Sequence, residues 1–145
     1  MKITLATKED ITKIYTLQKQ SIHMCIAEEI LEEDFAKENY IYIVAKENEN
    51  VIGYLLLSFV LEDADIISTA VAKEYRGQNI FAELLSFGER KLKEINVEKI
   101  FLEVRESNSS AISAYTKNNF IKIAVRRNYY KNPVENAVIM EKNIY

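Results

Sequence analysis

The sequence predicts a mixed α/β fold built on a central sheet, and three observations carry that prediction. Short β-branched and aromatic segments interleave with amphipathic helical ones in the order β-α-α-β-β-β-α-β-α-β-β. The chain has 145 residues, 48% of them hydrophobic and 28% charged, which suits one globular domain spanning residues 1–145. No internal repeat, low-complexity tract or linker interrupts it. The expected architecture is a sheet of six to seven strands flanked by about four helices.

Each element has a local reason. Residues 2–6 alternate and read as a short strand. Thr7 with Asp10 three residues later resembles a capping box, and Ile11, Ile14, Tyr15, Leu17 and Ile22 then repeat at helical spacing. A second helix is expected over residues 28–38, with Ile30, Leu31 and Phe35 on one face. Residues 40–46 and 51–60 are strands joined by the polar turn Glu47-Asn48-Glu49-Asn50, and residues 65–71 form a third. Helix resumes near Asn79, where Phe81, Leu84, Leu85, Leu92 and Ile95 make an apolar stripe. A strand over 99–105, a short helix over 109–118, and strands over 120–127 and 137–144 complete the chain. The last two strands are separated by a turn at Asn132-Pro133. With three Gly and one Pro in the sequence, Asn48, Asn50, Asn79, Asn118 and Asn119 are expected to serve as turn residues, because Asn tolerates left-handed backbone.

Composition removes several classes of function. A net charge of -3 argues against a large nucleic-acid surface. A single cysteine, Cys25, allows no internal disulfide framework, and a single histidine, His23, argues against a structural zinc site. Neither residue is assigned chemistry, and no metal is expected. No apolar run approaches the ~18 residues a membrane span needs. A cytoplasmic protein, monomer or homodimer, is expected.

Two places can carry chemistry. The first is the strand-to-helix turn Tyr75-Arg76-Gly77-Gln78-Asn79-Ile80. A helix start offers unpaired N–H groups and the positive end of the backbone dipole, a combination that holds phosphate. Gly77 permits close backbone approach, and Arg76 adds charge. A turn of this make-up can equally bind nothing. The second place is the stretch from Glu103 to Phe120. A strand-end carboxylate, Glu103, can accept a proton or simply be solvated, as Glu106 is expected to be. Tyr115, on the following helix, can donate a phenolic proton or pack as core. Asn108 opens the turn and suits an N-cap or a ligand contact.

Glu103-Val104-Arg105-Glu106-Ser107-Asn108, with Ala111, Ile112 and Tyr115 following, resembles the GNAT family of N-acetyltransferases. Its bacterial ribosomal-protein alanine N-acetyltransferase branch is the nearest in pattern. The similarity runs from Asp65 onward and includes Arg126-Arg127-Asn128-Tyr129-Tyr130 and Val138-Ile139-Met140. It implies the GNAT fold, with a mixed, mostly antiparallel sheet. It also implies acetyl-CoA as co-substrate and a primary amine as acceptor: a protein N-terminus, with ribosomal protein S18-type alanine leading, or a small amine. By the resemblance Glu103 is the general base and Tyr115 the general acid. Thr69, Ala70 and Val71 pair with the pantetheine arm. Arg76, Gly77, Gln78, Asn79, Ile80, Phe81 and Ala82 form the pyrophosphate turn, and Asn108 contacts coenzyme A. Asn79 and Phe81 depart from the family's small residues in that turn.

The branch usually carries a Pro-Trp segment between its first two helices, and this chain has no Trp. Tyr129 and Tyr130 are expected either to wall an acceptor groove or to pack at a sheet edge, and Arg126 with Arg127 either to meet an acidic partner or to face solvent. Residues 22–31 would supply the opposite wall. A small-molecule amine acetyltransferase and a non-catalytic acyl-CoA-binding module are the alternatives.

Overall fold

The computed structural model describes residues 1–21 and 25–145, so Ile22 and His23 lie outside the described residues. Among those described are seven strands: β1 (Lys2–Leu5), β2 (Tyr40–Glu47), β3 (Asn50–Val60), β4 (Asp63–Val71), β5 (Lys99–Arg105), β6 (Ile121–Tyr130) and β7 (Glu135–Asn143). Four α-helices accompany them: α1 (Asp10–Ser21), α2 (Glu28–Phe35), α3 (Ile80–Glu94) and α4 (Ser109–Lys117). The strands form one sheet in the order β1-β2-β3-β4-β5-β7-β6. Every neighbouring pair is antiparallel except β4 with β5, which is parallel. This is the expected mixed, mostly antiparallel sheet.

Period-two alternation divides the interior. Ile43, Ala45, Leu55 and Leu57 point to a core shared with Leu84, Leu85 and Leu92 of α3. Their neighbours Tyr42, Val44, Tyr54 and Leu56 point the other way, onto Ile11, Ile14 and Leu17 of α1 and Leu31 of α2. Fully burying one such Leu or Ile contributes about 1.5–3 kcal/mol. Helix α3 lies close against the sheet at Gly88, where an added Cβ would stand 3.0 Å from Leu57.

The capping box expected at Thr7 and Asp10 is half formed: the carboxylate takes the Thr7 N–H, whereas the Asp10 N–H goes to the Thr7 carbonyl and not to its hydroxyl. The Asp10 carboxylate accepts the Thr7 N–H at 2.8 Å and the Thr7 hydroxyl at 3.2 Å, and it pairs with Lys46 at 2.9 Å. Burial alone would push the Asp10 carboxyl up. The Thr7 bonds and Lys46 outweigh it and hold the group below its ordinary value. Helix α2 stops at Phe35, before the expected 38. Its end tightens into three-residue bonds, Ala36 N–H to Glu33 O at 3.3 Å and Lys37 N–H to Asp34 O at 3.0 Å, and the chain then turns into β2.

Of the five Asn residues expected in turns, Asn48, Asn79 and Asn119 have positive φ. Asn50 instead begins β3, and Asn118 caps α4 at φ −98°. Asn96, Asn128 and Asn132 also take positive φ, as does Leu61 in the two-residue β3–β4 turn.

Candidate active site

Strands β4 and β5 run side by side for only three residue pairs, Asp63 with Lys99, Ala64 with Ile100 and Asp65 with Phe101. Beyond Asp65, β4 keeps pairing with β3 as far as Val71, and β5 keeps pairing with β7 as far as Arg105. The two strands therefore part in the middle of the sheet. A bulge sits at the parting, because Leu56 pairs with Ser68 and Leu57 with Ile66, leaving Ile67 as an extra residue on β4. The β5-facing edge of β4 beyond this point has no ladder partner among the described residues. Its backbone groups are open to an extended ligand.

An open cleft of about 1140 Å³ occupies the parting, lined among others by Asp65, Ile67, Glu103, Arg105, Tyr129 and Tyr130. Register explains which side chains meet there. Phe101 and Glu103 alternate with the buried Ile100, Leu102 and Val104, so Glu103 turns away from α3, toward the cleft. Its charge, and then a side-chain hydrogen bond, raise the Tyr129 phenol above its usual range. Asp65 is raised first by burial and then by the nearby Glu103 and Asp63 carboxylates. Two carboxylates thus share one cleft.

Tyr115 approaches from the other face of the sheet, on α4. Its ring lies 5.5 Å from Phe81 and 5.7 Å from Phe120, edge-on to both. Burial first, then the neighbouring Tyr130 and Tyr54 phenols, push its hydroxyl up to about 12. Tyr115 is therefore a proton holder at any ordinary pH. The Tyr130 phenol is raised by burial and then by the Glu103 charge, and it in turn helps to raise Tyr115.

At the end of β4 a 3-10 turn, Lys73–Tyr75, leads into α3. Gly77 has φ 80°, with open space where a Cβ would stand. Asn79 is the N-cap in left-handed conformation, φ 60°, and its side chain makes no capping bond. The first N–H groups of α3 have no intrahelical partner, so they are available to an anion.

The profile of the acetyltransferase (GNAT) family matches residues 8–120. The chain belongs to the GNAT family. The ribosomal protein bS18-alanine N-acetyltransferase of Haemophilus influenzae is 37% identical over 106 residues, covering 71% of this chain and 72% of that protein. An N-alpha-acetyltransferase of Saccharolobus solfataricus is 33% identical over 114 residues, covering 70% and 68%. Among solved structures, the ribosomal-protein-S18-alanine N-acetyltransferase of Escherichia coli superposes with a TM-score of 0.89 at 26% identity, covering 99% of this chain and 93% of that one. The expected fold, the resemblance and the reading as an acyltransferase all stand.

The residues singled out in the sequence fall into three places on this GNAT sheet. Glu103, Tyr129 and Tyr130 line the cleft, whereas Arg126 stacks over the Tyr129 ring at 5.5 Å and does not line it. Thr69, Ala70 and Val71 lie on the unpaired edge of β4, where the Thr69 hydroxyl is already donated to Tyr54 O at 2.9 Å. Arg76, Gly77, Gln78 and Asn79 are exposed in the turn, and Arg76 Nε donates to Val71 O at 3.1 Å. Ile80 is buried and the Phe81 ring packs on Tyr115, so both side chains are turned to the core, and Ala82 is half-buried. That accounts for Phe81 in a turn where the family uses small residues. Asn108 is the N-cap of α4, accepting the Ala111 N–H at 3.2 Å. Glu106 is exposed and accepts from Asn136 at 3.3 Å.

Sequence reasoning passed over Asp65, the Ile67 bulge and the Arg105–Glu135 ion pair. No local signal marks the bulge or the pair. Among the described residues no three His, Cys, Asp or Glu converge as metal ligands, and no helix is long and apolar enough to cross a membrane.

Proposed function

We propose that this chain is an acetyl-CoA-dependent N-acetyltransferase whose acceptor is the α-amino group of a protein N-terminus, with ribosomal-protein alanine as the leading candidate. One observation carries the reading. Glu103 stands in an open cleft exactly where β4 leaves an unpaired edge and a helix N-terminus follows. Names of the H. influenzae, S. solfataricus and E. coli relatives support the acceptor class.

Acetyl-CoA supplies the activated acyl group when bound. The groups present fit it. The uncapped N–H groups of α3 and the open space at Gly77 suit a pyrophosphate, and the free edge at Thr69, Ala70 and Val71 suits an extended amide-bearing arm. Arg76 adds a cation at the turn, and Asn108 lies at the start of α4 nearby in sequence to Glu103. Glu103 accepts the proton of the incoming ammonium, directly or through water. Backbone N–H groups at the bulge polarise the acyl carbonyl, a contribution of ~2.7–4 kcal/mol for each such donor in well-studied cases. Tyr115 keeps its proton at the phenol oxygen, ready for the departing sulfur. Tyr129 and Tyr130 wall the acceptor side.

The test is a turnover panel with acetyl-CoA, short peptides beginning with Ala, free amino acids and polyamines. Ala peptides are expected to give the highest kcat/KM, and blocking their α-amine is expected to abolish labelling even when lysines are present. Glu103→Gln is expected to lower turnover by ~10²–10⁴-fold with acetyl-CoA binding retained. A polyamine with far higher kcat/KM than any peptide would move the enzyme to the small-amine class, a reading that Asp65 and Glu103 in one cleft would then serve. Binding without turnover on any amine would leave an acyl-CoA-binding module.

A further inference from the structure

The wall of the cleft that carries Tyr129 and Tyr130 is poorly fixed by its own backbone. Among the described residues, strand β6 has no neighbour on its outer side. Its pairing with β7 jumps from Arg126–Ala137 to Tyr130–Glu135, which leaves residues 127–129 out of the ladder. Within that gap Asn128 has φ 54°, and its N–H reaches only a side chain, Asn136 Oδ1, at 3.0 Å. Backbone register therefore reaches Tyr130 only through its single pairing with Glu135 and does not set where Tyr129 stands.

Side chains do. Arg105, the last residue of β5, lies two positions beyond Glu103 and so on the same face. Its Nη1 donates to Pro133 O at 3.2 Å and meets Glu135 Oε1 at 3.2 Å, while Nη2 donates to Lys131 O at 3.2 Å. The guanidinium also lies over the Tyr130 ring, 4.4 Å from its centroid. Glu135 uses its other oxygen, Oε2, to accept the Ser107 N–H. The two side chains are only 19% and 18% exposed, so the pair is sheltered from the screening that makes surface ion pairs weak. One guanidinium thus grips two carbonyls of the β6–β7 turn, those of Lys131 and Pro133, together with a carboxylate and an aromatic face. An ammonium has neither the planar fork nor the stacking surface to do this.

We propose that Arg105 and Glu135 are a positioning clasp that holds the Tyr129–Tyr130 wall in register with Glu103 and thereby sets affinity for an extended acceptor. The inference rests on the peptide-acceptor reading above. The clasp touches neither the α3 N-terminus nor the free edge of β4, and it meets the Asn108 side only through the bond from the Ser107 N–H to Glu135, which Arg105→Gln does not remove, so that variant should leave acetyl-CoA binding intact. It acts on uniform binding of the acceptor, which appears in KM and not in kcat.

Three variants test it: Arg105→Gln, Arg105→Lys and Glu135→Gln. For an Ala-initiated peptide, Arg105→Gln is expected to raise KM about tenfold with kcat within about twofold of wild type. Acetyl-CoA affinity is expected to be unchanged. Arg105→Lys should rescue little, because charge without the fork cannot hold two carbonyls. Glu135→Gln keeps an acceptor for Ser107 and should fall between. Amide hydrogen exchange supplies a readout free of any acceptor: residues 127–136 should exchange faster in Arg105→Gln while the two core faces keep their protection. Full rescue by Lys, a loss confined to kcat, or unchanged exchange at 127–136 overturns the clasp. If the wild type takes no peptide, the acceptor reading fails by itself. The exchange measurement then decides the clasp alone, with faster exchange supporting it.

Discussion

A phenol and a carboxylate divide the proposed chemistry between opposite faces of the sheet. Glu103 looks into the open cleft, and Tyr115 is wedged between Phe81 and Phe120. Both residues were legible in the sequence because the motif that holds them is short and local. Their environments were not, because burial depends on what α4 packs against. Burial and the neighbouring phenols push Tyr115 up to about 12, so removing its hydroxyl removes a proton that ordinary pH does not. Tyr115→Phe keeps both edge-on ring contacts, and a hydroxyl's net contribution to stability is about 1 kcal/mol. A small change in Tm with a clear fall in single-turnover rate is the expected outcome. An unchanged single-turnover rate would make Tyr115 a packing residue. Arg105 and Glu135 show the opposite case at the same scale. Thirty positions separate them, and nothing in either local pattern announces the other.

Elements were readable where one local rule decides them, and less so where two compete. The strands over 40–46 and 51–60 were readable from their apolar runs and the polar turn between them, whereas the two faces they present emerge only once each meets its own helix layer. Turn chemistry was harder. Asn48, Asn79 and Asn119 adopt positive φ as expected, whereas Asn50 is absorbed into β3 because the ladder with Glu47 begins there. Leu61 violates the rule outright, with φ 55° at 81% exposure in a two-residue hairpin turn. Glycine fits the first central position of such turns when φ is positive, and left-handed backbone costs an ordinary residue about 1–2 kcal/mol. The extra unfolded-state entropy of glycine offsets part of that relief. Leu61→Gly is therefore expected to stabilise the chain by up to about 1 kcal/mol, read as a higher denaturation midpoint. A lower midpoint would mean that the exposed leucine packs better than its accessibility indicates. The α1 start makes a second element-scale prediction. Asp10 is held below its ordinary value, so it binds protons more weakly folded than unfolded. Its contribution is present above the unfolded value of about 3.9 and is lost as pH falls through the lower folded value. Asp10→Asn should remove that part of the acid-side slope of stability against pH. An identical acid limb in wild type and variant would assign the slope to other carboxylates.

At the scale of the whole molecule, the proposed function depends on one failure of pairing. The order β4-β5-β7-β6 puts the parallel pair found among the described residues in the middle of the sheet and lets its strands touch over three residue pairs. Order of elements along the chain does not fix this. Which strands become neighbours, and where two of them part, follows from how α3 and α4 cover one face while α1 and α2 cover part of the other. The motif around Glu103 therefore pointed to a site whose shape the sequence did not reveal. The parting gives an acyl donor two kinds of contact that are unsatisfied without it: the free edge of β4, and the uncapped N–H groups that begin α3. A ligand bound only to the native state stabilises it by ~2.7 kcal/mol at a hundred times its dissociation constant. For a chain of this length that is roughly a 5–10 °C rise in Tm. Acetyl-CoA should produce that rise, and coenzyme A should produce most of it, because the pyrophosphate and amide contacts do not need the acetyl group. Replacing Gly77 by Val should erase much of the shift and also lower the Tm of the free protein, since φ 80° strains a β-branched residue by about 1–2 kcal/mol even though the space at its Cβ is open. No shift with either ligand at millimolar concentration, in a sample that melts cooperatively, would mean that the parting of β4 and β5 holds no acyl donor.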